Sequence, residues 1–250
     1  MQQQIFVVLP TYNEGESLIA LLKEIEDVLS TYAFHILVVD DGSTDDSIWQ
    51  VQQLQLPHVQ IIAHERNQGL GEAIRTGISA AVTQCQDDNA ITIIMDSDMT
   101  HTPYLIERMV NLVKEGNDVV IASRFRYGSR VKGLPLHRLF LSHAASWVFR
   151  LFVPIPCIKD YTCGYRAYKT GLLKKAFEKY HADFISESGF SCMIDILIKL
   201  AHMDAIMVEV PLILRYERKQ SPSKMKIMRT IFSSLRLLYR AVFFKEHREA

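Results

Sequence analysis

Short apolar runs alternate with longer amphipathic stretches through the first half of the chain, and each pattern selects a different element. Residues 5–9 form a continuous apolar run, followed by Pro10-Thr11-Tyr12-Asn13 and then by Leu18, Leu21, Leu22, Ile25 and Leu29 at helical spacing. That pair reads as a strand feeding a helix. The cadence returns as 36–39 before a helix from about Asp45, as 59–63 before 71–81, and as 91–95 before 102–113, with 119–122 as a fifth strand. Strands without polar alternation are covered on both faces, and strands separated by helices are expected to pair in parallel through right-handed crossovers. The first 125 residues therefore predict a doubly wound α/β sheet, whose ligands bind beyond the carboxyl ends of the strands.

The second half changes character. Between Asp118 and Asp160 there is no acidic residue, yet seven Lys or Arg occur among stretches such as Leu139-Phe140-Leu141 and 147–153, and Pro154 and Pro156 follow. Aromatic and aliphatic side chains mixed with unopposed cations suit a helix lying at a membrane surface, where Lys and Arg engage anionic lipid. Near the C-terminus Ile227, Met228, Ile231, Leu235, Leu238 and Val242 recur at helical spacing, with Lys226, Arg229, Arg236 and Arg240 around them. This segment reads either as a basic amphipathic membrane helix or as an ordinary closing helix packed on the sheet.

Composition bounds these readings without altering them. The chain has 250 residues with 48% hydrophobic and 22% charged, enough for one globular domain with a sizeable core. Lys plus Arg equals Asp plus Glu at 28 each, which argues against a nucleic-acid-coating protein. The balance hides a split: residues 1–118 hold 5 basic and 18 acidic side chains, leaving 23 and 10 in residues 119–250. The basic half is expected to meet something anionic, a phosphate or a membrane surface. Cys85, Cys157, Cys163 and Cys192 show no metal-like spacing and read as thiols. No basic leader with a long apolar core stands at the N-terminus, and no uncharged apolar run is long enough to span a bilayer. A peripheral protein on the cytoplasmic side of a membrane is expected.

Candidate chemistry sits just after the apolar runs. Pro10, Tyr12 and Glu14 follow the first, Asp40, Asp41, Gly42 and Ser43 the second, and Asp96-Ser97-Asp98-Met99-Thr100 the fourth. Carboxylates gathered on one rim repel one another, and a divalent cation or a donor-rich partner relieves the repulsion. Asp96 and Asp98, at i and i+2, can reach one oxygen-seeking metal that bridges a diphosphate. Asp98 can alternatively cap the helix beginning near Thr102.

Taken in order, Pro10-Thr-Tyr-Asn-Glu14, Val38-Val-Asp-Asp-Gly-Ser43 with Asp45, Arg66-Asn-Gln-Gly-Leu70 and Met95-Asp-Ser-Asp98 resemble a family 2 glycosyltransferase of the GT-A fold. Ala122-Ser-Arg124, Arg138 with Ser142, Asp160-Tyr-Thr-Cys-Gly164 and Arg218 with Ser223-Lys224 resemble its dolichol-phosphate mannose synthase branch. The resemblance implies that Pro10, Tyr12, Glu14, Val39 and Asp41 hold the nucleoside, and that Ser97 lies against the sugar nucleotide through its backbone. It implies Asp96 and Asp98 as ligands of Mg2+ or Mn2+ on the donor diphosphate. Where that branch has Gln two residues past the second Asp, this chain has Thr100, so the third ligand is Thr100 itself, directly or through water, or solvent alone. Its usual G-E-S-K segment is replaced by Ser221-Pro222-Ser223-Lys224.

The same resemblance places Arg124 between donor and acceptor phosphates, although pairing with an acidic side chain is equally open to it. Arg138 and Ser142, four apart on one helical face, would present a charge and a hydroxyl to the acceptor phosphate. Arg218 and Lys224 would close over the donor diphosphate. The expected organisation is a domain over 1–220, with a nucleotide-sugar half (1–125) and an acceptor half (126–220), followed by a basic loop and amphipathic helix (221–250). The expected reaction moves a hexose, mannose first, from a guanosine or uridine diphosphate sugar to a polyprenyl phosphate, with the chain acting either alone as a peripheral enzyme or beside a separate membrane subunit, as in some members of the family it resembles. Two rivals stay open: transfer to a saccharide hydroxyl with Glu187 as base, and a catalytically silent nucleotide-sugar-binding subunit.

Overall fold

The computed structural model describes residues 3–219, 221 and 227–243. In chain order the strands are β1 (Gln4–Thr11), β2 (Ala33–Asp40), β3 (Val59–Ala63), β4 (Ile91–Ile94), β5 (Val119–Ser123), β6 (Arg130–Lys132), β7 (Arg166–Lys169), β8 (Met207–Pro211) and β9 (Ile213–Arg215). The α-helices are α1 (Gly15–Leu29), α2 (Ser47–Gln53), α3 (Leu70–Gln84), α4 (Ile106–Lys114), α5 (Leu136–Phe152), α6 (Thr170–Tyr180), α7 (Cys192–Ala201) and α8 (Ile227–Phe243). All five expected strands and the helices between them are present. Pro103 opens a short 3-10 turn that runs into α4, because its ring fixes φ and lacks the amide that a helix start leaves unused.

Seven strands form one sheet in the order β3-β2-β1-β4-β7-β5-β8, and β6 pairs with β9 in a separate parallel ribbon. β1, β2, β3 and β4 pair in parallel, as do β5 and β8. The expectation of parallel pairing between helix-separated strands fails at one place. β4 and β5 flank α4 but do not touch, because β7 inserts between them antiparallel to both. β7 escapes hydropathy because it is four residues long and begins with Arg166, a fully buried arginine. Its guanidinium donates to the carbonyls of Cys163 (2.9 Å), Tyr161 (2.8 Å) and Met193 (2.6 Å), which is how a buried charge becomes tolerable.

α3 packs on β1 and β2 and meets α6 and α7, while α1 meets α2 and α4, so the sheet is sandwiched between two helical layers. β1, β2 and β4 are apolar and buried almost throughout. Gly77 admits this packing: a Cβ there would lie 2.2 Å from Val8 Cγ1, so any larger residue would push α3 off the sheet. Register aligns the carboxyl ends, with Thr11 opposite Asp40 and Val8 opposite both Leu37 and Ile94. The loops after β1, β2 and β4 therefore open on one edge.

Candidate active site

The first two rim loops are lashed together by short polar side chains. Asn13, held at φ 51, accepts from the Thr44 amide through its side-chain oxygen (2.7 Å), and its own amide donates to Ser43 Oγ (2.9 Å). Gly15 N–H donates to Ser47 Oγ (2.8 Å), and Asp40 Oδ1 accepts from the Ser43 amide (2.9 Å). Asp41 is buried and accepts from the amides of Gln68 and Gly69, each at 2.8 Å, with His64 Nδ1 2.9 Å away. Asp41 thus ties the 64–69 loop to the end of β2. Gly42, at φ +75, lies where a Cβ would come within 2.6 Å of the Arg66 backbone, so only glycine permits this approach. Pro10 and Tyr12 are half-buried at the rim, whereas the Val39 side chain is wholly buried beneath α3 and is not presented to the cleft.

The loop after β4 holds the sharpest chemistry. Ser97 Oγ donates to the Pro10 carbonyl (2.8 Å), which seats this loop beside the first. Thr100 is buried and gives both its amide (3.1 Å) and its hydroxyl (2.6 Å) to Asp98 Oδ1. The alternative of Asp98 as a helix cap is not what is found: the turn beginning at Pro103 has no side-chain cap, and Asp98 is spent on Thr100. Thr100 serves first as the residue that orients Asp98. His101 is buried against the Tyr165 ring, its Nδ1 accepts from the Asp96 amide (3.1 Å), and its Nε2 lies 3.8 Å from Asp96 Oδ2.

A segment from far along the chain crosses these carboxylates. β9 is fastened to the rim by the Arg215 amide donating to the Thr100 carbonyl (2.9 Å), and a 3-10 turn over Tyr216–Arg218 follows. Lys219 Nζ then pairs with Asp98 Oδ2, Arg218 pairs with Glu24 on α1 at 2.5 Å, and Ser221 Oγ donates to Glu14 Oε2 at 2.8 Å. Burial works to raise the Asp98 carboxyl, but the Lys219 ammonium and the Thr100 hydroxyl outweigh it and hold Asp98 below the usual carboxylate range. Asp96 moves the other way. Burial pushes it up, His101 pulls it back in part, and the nearby Asp98 charge adds to the rise. The expected repulsion on the acidic rim is therefore real, and the protein places its own cation against it.

Arg124, just past β5, faces a different carboxylate. Its Nε and Nη2 bind the two oxygens of Asp160 at 2.8 and 2.6 Å, its amide donates to Asp160 Oδ2 (3.0 Å), and Nη2 also reaches Thr162 Oγ1 (2.6 Å). Asp160 is fully buried and takes two more amides, from Thr162 and Cys163. Burial opposes its ionisation, yet Arg124 holds its carboxyl below the usual range. Ser142 Oγ on α5 lies 3.2 Å from Thr162 Oγ1, so Ser142, Thr162 and Arg124 form one cluster. Arg138, one turn earlier on α5, donates instead to the Tyr216 hydroxyl (2.9 Å). The two halves meet at Gly164, where a Cβ would sit 3.5 Å from Asp96 Oδ1.

A family model for glycosyl transferase family 2 matches residues 6–180, more than half of the chain. The chain belongs to glycosyl transferase family 2. It is 33% identical over 239 residues to a dolichol-phosphate mannosyltransferase of Pyrococcus furiosus, covering 95% of this chain and 63% of that protein. It is 31% identical over 226 residues to a polyprenol monophosphomannose synthase of Mycolicibacterium smegmatis, covering 89% and 81%. The chain thus spans under two thirds of the Pyrococcus relative. Among solved structures it is similar to glucosyl-3-phosphoglycerate synthase from Mycobacterium tuberculosis in complex with Mn2+, uridine diphosphate and phosphoglyceric acid, at TM-score 0.67, 18% identity, 95% of this chain and 78% of that one. The fold is GT-A.

Within this family 2 fold the structure adds residues to which sequence reasoning gave no role. Lys219, Asp160, Thr162, His101 and Tyr216 each contact a predicted site residue. Asp160 and Thr162 stood in the quoted motif over 160–164, whereas nothing singled out Lys219, His101 or Tyr216. Lys224 lies outside the described residues. Glu187 lies against Arg240 of α8, with Nη1 at 3.7 Å, and Ser191 Oγ is 3.4 Å away. Among the described residues no three His, Cys, Asp or Glu side chains converge as a metal-ligand group.

The Arg124–Asp160 side of the cleft is flanked by α5 and α8, which touch each other. α5 buries Ser146 and Phe149 but exposes Leu136, Phe140, Trp147, Leu151 and Phe152. α8 buries Leu237 and packs Leu238 and Ala241 on the core, while Met228, Phe232, Leu235, Tyr239 and Phe243 form an exposed row. The reading as a closing helix packed on the core is met by the inner face, to which Leu238 belongs, while the outer apolar row is exposed. Phe125, over which Arg124 stacks at 5.4 Å, opens a groove of about 510 Å3 walled by Phe140 and Trp147 and edged by Arg150 and Lys159. No helix among the described residues is long and apolar enough to cross a membrane.

Proposed function

We propose that the protein is a metal-dependent, inverting hexosyltransferase that moves mannose from a nucleotide sugar, GDP-mannose before a UDP-sugar, to the phosphate of a polyprenol. The observation that carries this reading is the juxtaposition of two unlike sites at one loop: Gly164 abuts Asp96, while Asp160 of the same loop grips Arg124. One side suits a nucleoside diphosphate, the other a phosphate acceptor. The names of the Pyrococcus and Mycolicibacterium relatives, both lipid-phosphate mannose synthases, support the choice of acceptor and sugar.

The carboxylates fit a hard divalent cation. Asp96 and Asp98 offer oxygen donors only, and an ammonium already sits against Asp98. In this reading Asp96 and Asp98 would hold Mg2+ or Mn2+, with Thr100 orienting Asp98 through its hydroxyl. When bound, such a cation supplies charge neutralisation to the departing diphosphate. Pro10, Tyr12, Glu14 and Asp41 would frame the nucleoside, Val39 through its backbone alone, with Ser97 lending its amide edge and Arg218 the diphosphate side. Lys224 would join them.

An acceptor phosphate oxygen forms the new bond at the anomeric carbon as the bond to the nucleoside diphosphate breaks, and the configuration inverts. That oxygen is already anionic at neutral pH, so Arg124, Arg138 and Ser142 position it and no general base is required. The location of Glu187 against α8 is consistent with this, since a hydroxyl acceptor would need a carboxylate at the reacting centre. In domain terms residues 1–125 would serve the donor and 126–220 the acceptor, with α8 (Ile227–Phe243) facing the membrane. The exposed aromatic rows of α5 and α8 would lie in the headgroup region on the cytoplasmic face, holding the protein there peripherally.

Incubation of the pure protein and Mg2+ or Mn2+ with labelled nucleotide sugars and polyprenyl phosphate tests the reading. Acid-labile label in the organic phase, strongest with GDP-mannose, is expected. Label that enters only water-soluble saccharide would overturn it.

A further inference from the structure

Glu209 is a carboxylate where the sheet needs none. It lies in β8 opposite Ile121 of β5, is buried, and is followed by buried Val210. Burying an ionised group in a strand costs free energy, and an apolar side chain would fill the position without that cost. Its Oε1 accepts two amides, Lys159 N at 2.7 Å and Asp160 N at 2.6 Å, while Oε2 is buried with no hydrogen-bond partner. Those two amides open the loop whose next acid, Asp160, holds Arg124.

The polar groups of this loop are divided among three buried charged side chains, two acids and one arginine. Its amides at 159 and 160 go to Glu209, those at 162 and 163 go to Asp160, and its carbonyls at 161 and 163 go to Arg166. Glu209 and Asp160 against Arg124 and Arg166 sum to zero charge, so the set is balanced only when all four are present. The loop has no regular secondary structure of its own to hold it. Its backbone is held by side-chain ions, with Glu209 anchoring the end nearest Asp160.

We propose that Glu209 is a positioning residue for sugar transfer: by fixing the 159–160 amides it sets the Asp160 carboxylate, and through it the guanidinium of Arg124 that receives phosphate. The inference rests on the phosphate-binding reading of Arg124 given above. It assigns Glu209 no contact with either substrate. Displacing Arg124 by about 1 Å would spoil the alignment of acceptor oxygen and anomeric carbon, an effect that reaches about a hundredfold in aligned reactions.

The test compares Glu209→Gln, which keeps a carbonyl oxygen for the two amides, with Glu209→Met, which keeps the volume and removes the acceptor. Folding is checked by thermal melts, and donor binding by titration with the nucleoside diphosphate. Glu209→Met is expected to lower kcat/KM for polyprenyl phosphate about 30- to 100-fold with donor affinity within about twofold of the parent, and Glu209→Gln to restore most of it. Arg124→Lys is run beside them, alone and combined with Glu209→Met. If Glu209 acts through Arg124, the double variant is no worse than Arg124→Lys alone. A Glu209→Met protein that melts lower yet transfers normally would show a structural role only and overturn the proposal. Losses that multiply in the double variant would overturn it too. If Arg124→Lys itself leaves transfer unchanged, the phosphate reading of Arg124 falls, an outcome distinct from the failure of Glu209. Should Glu209→Met not fold, Glu209→Gln carries the test: rescue of both folding and rate supports the acceptor role, and a large rate loss in a folded Gln variant refutes it.

Discussion

The two sides of the cleft are built by opposite strategies. On the side proposed for the donor, side chains are fixed mainly by neighbours in adjacent rim loops, as Asn13 is by Ser43 and Thr44, and Asp98 by Thr100 two residues on, with Lys219 added from far along the chain. On the side proposed for the acceptor the same task falls wholly to partners recruited across the chain: Arg124 to Asp160, the Asp160 amide to Glu209, Arg138 to Tyr216. If the carboxylates hold a cation as proposed, Lys219 must give way to it at Asp98. Arg124 is instead locked by a bidentate partner, as a group whose position rather than its charge serves alignment would be.

The sharpest break of this contrast comes from Asp98→Asn. Loss of the charge should lower transfer about a thousandfold while the fold persists, measured as label entering the organic phase. Asp160→Ala attacks the other side and should behave differently. It strands a buried guanidinium, so about 3 kcal/mol of unfolding free energy is expected to go, read by denaturant titration, along with about a hundredfold in acceptor-dependent kcat/KM. Lys219→Met sharpens the donor side. With its internal cation gone, Asp98 should bind Mn2+ about tenfold more tightly in the presence of nucleotide, measured by calorimetry; unchanged affinity would mean the Lys219 contact does not compete.

Acid titration separates the sides more gently. Asp160 has a folded pKa below the ordinary carboxylate value near 4, so its contribution is fully present above that value and is lost as pH falls through the folded pKa. Melting temperature should therefore fall below about pH 4, and Asp160→Asn should flatten that limb. The smallest effect concerns thiols. Burial pushes Cys163, on the acceptor loop, and Cys192 up to about 12, whereas Cys157 is exposed. Alkylation of the native protein at pH 8 should mark Cys157 well before Cys163 or Cys192, which become reactive on unfolding.

Local patterning made the donor side legible. Apolar runs marked β1 to β5, and the acids beyond them marked the rim, because in a parallel sheet strand ends and loops follow directly from the chain. β7 was hidden because its inward charge, Arg166, is satisfied by carbonyls that no periodicity reveals. Lys219 was hidden for another reason: in a basic stretch nothing distinguishes the one lysine brought onto Asp98 by the ribbon of β6 and β9. Of the exposed row of α8 only Met228 and Leu235 stood in the stripe read from spacing, and Leu238 of that stripe turns inward against the core.

The antiparallel insertion of β7 also governs how the chain can be assembled. During synthesis β4 emerges with β1 on one side and nothing on the other, and its open edge stays bare until residues 166–169 leave the ribosome. A fragment ending at 125 would keep that edge, and with it both sides of β5, permanently unpaired. Such a fragment is expected to self-associate, since only residues 166–169 seal the edge.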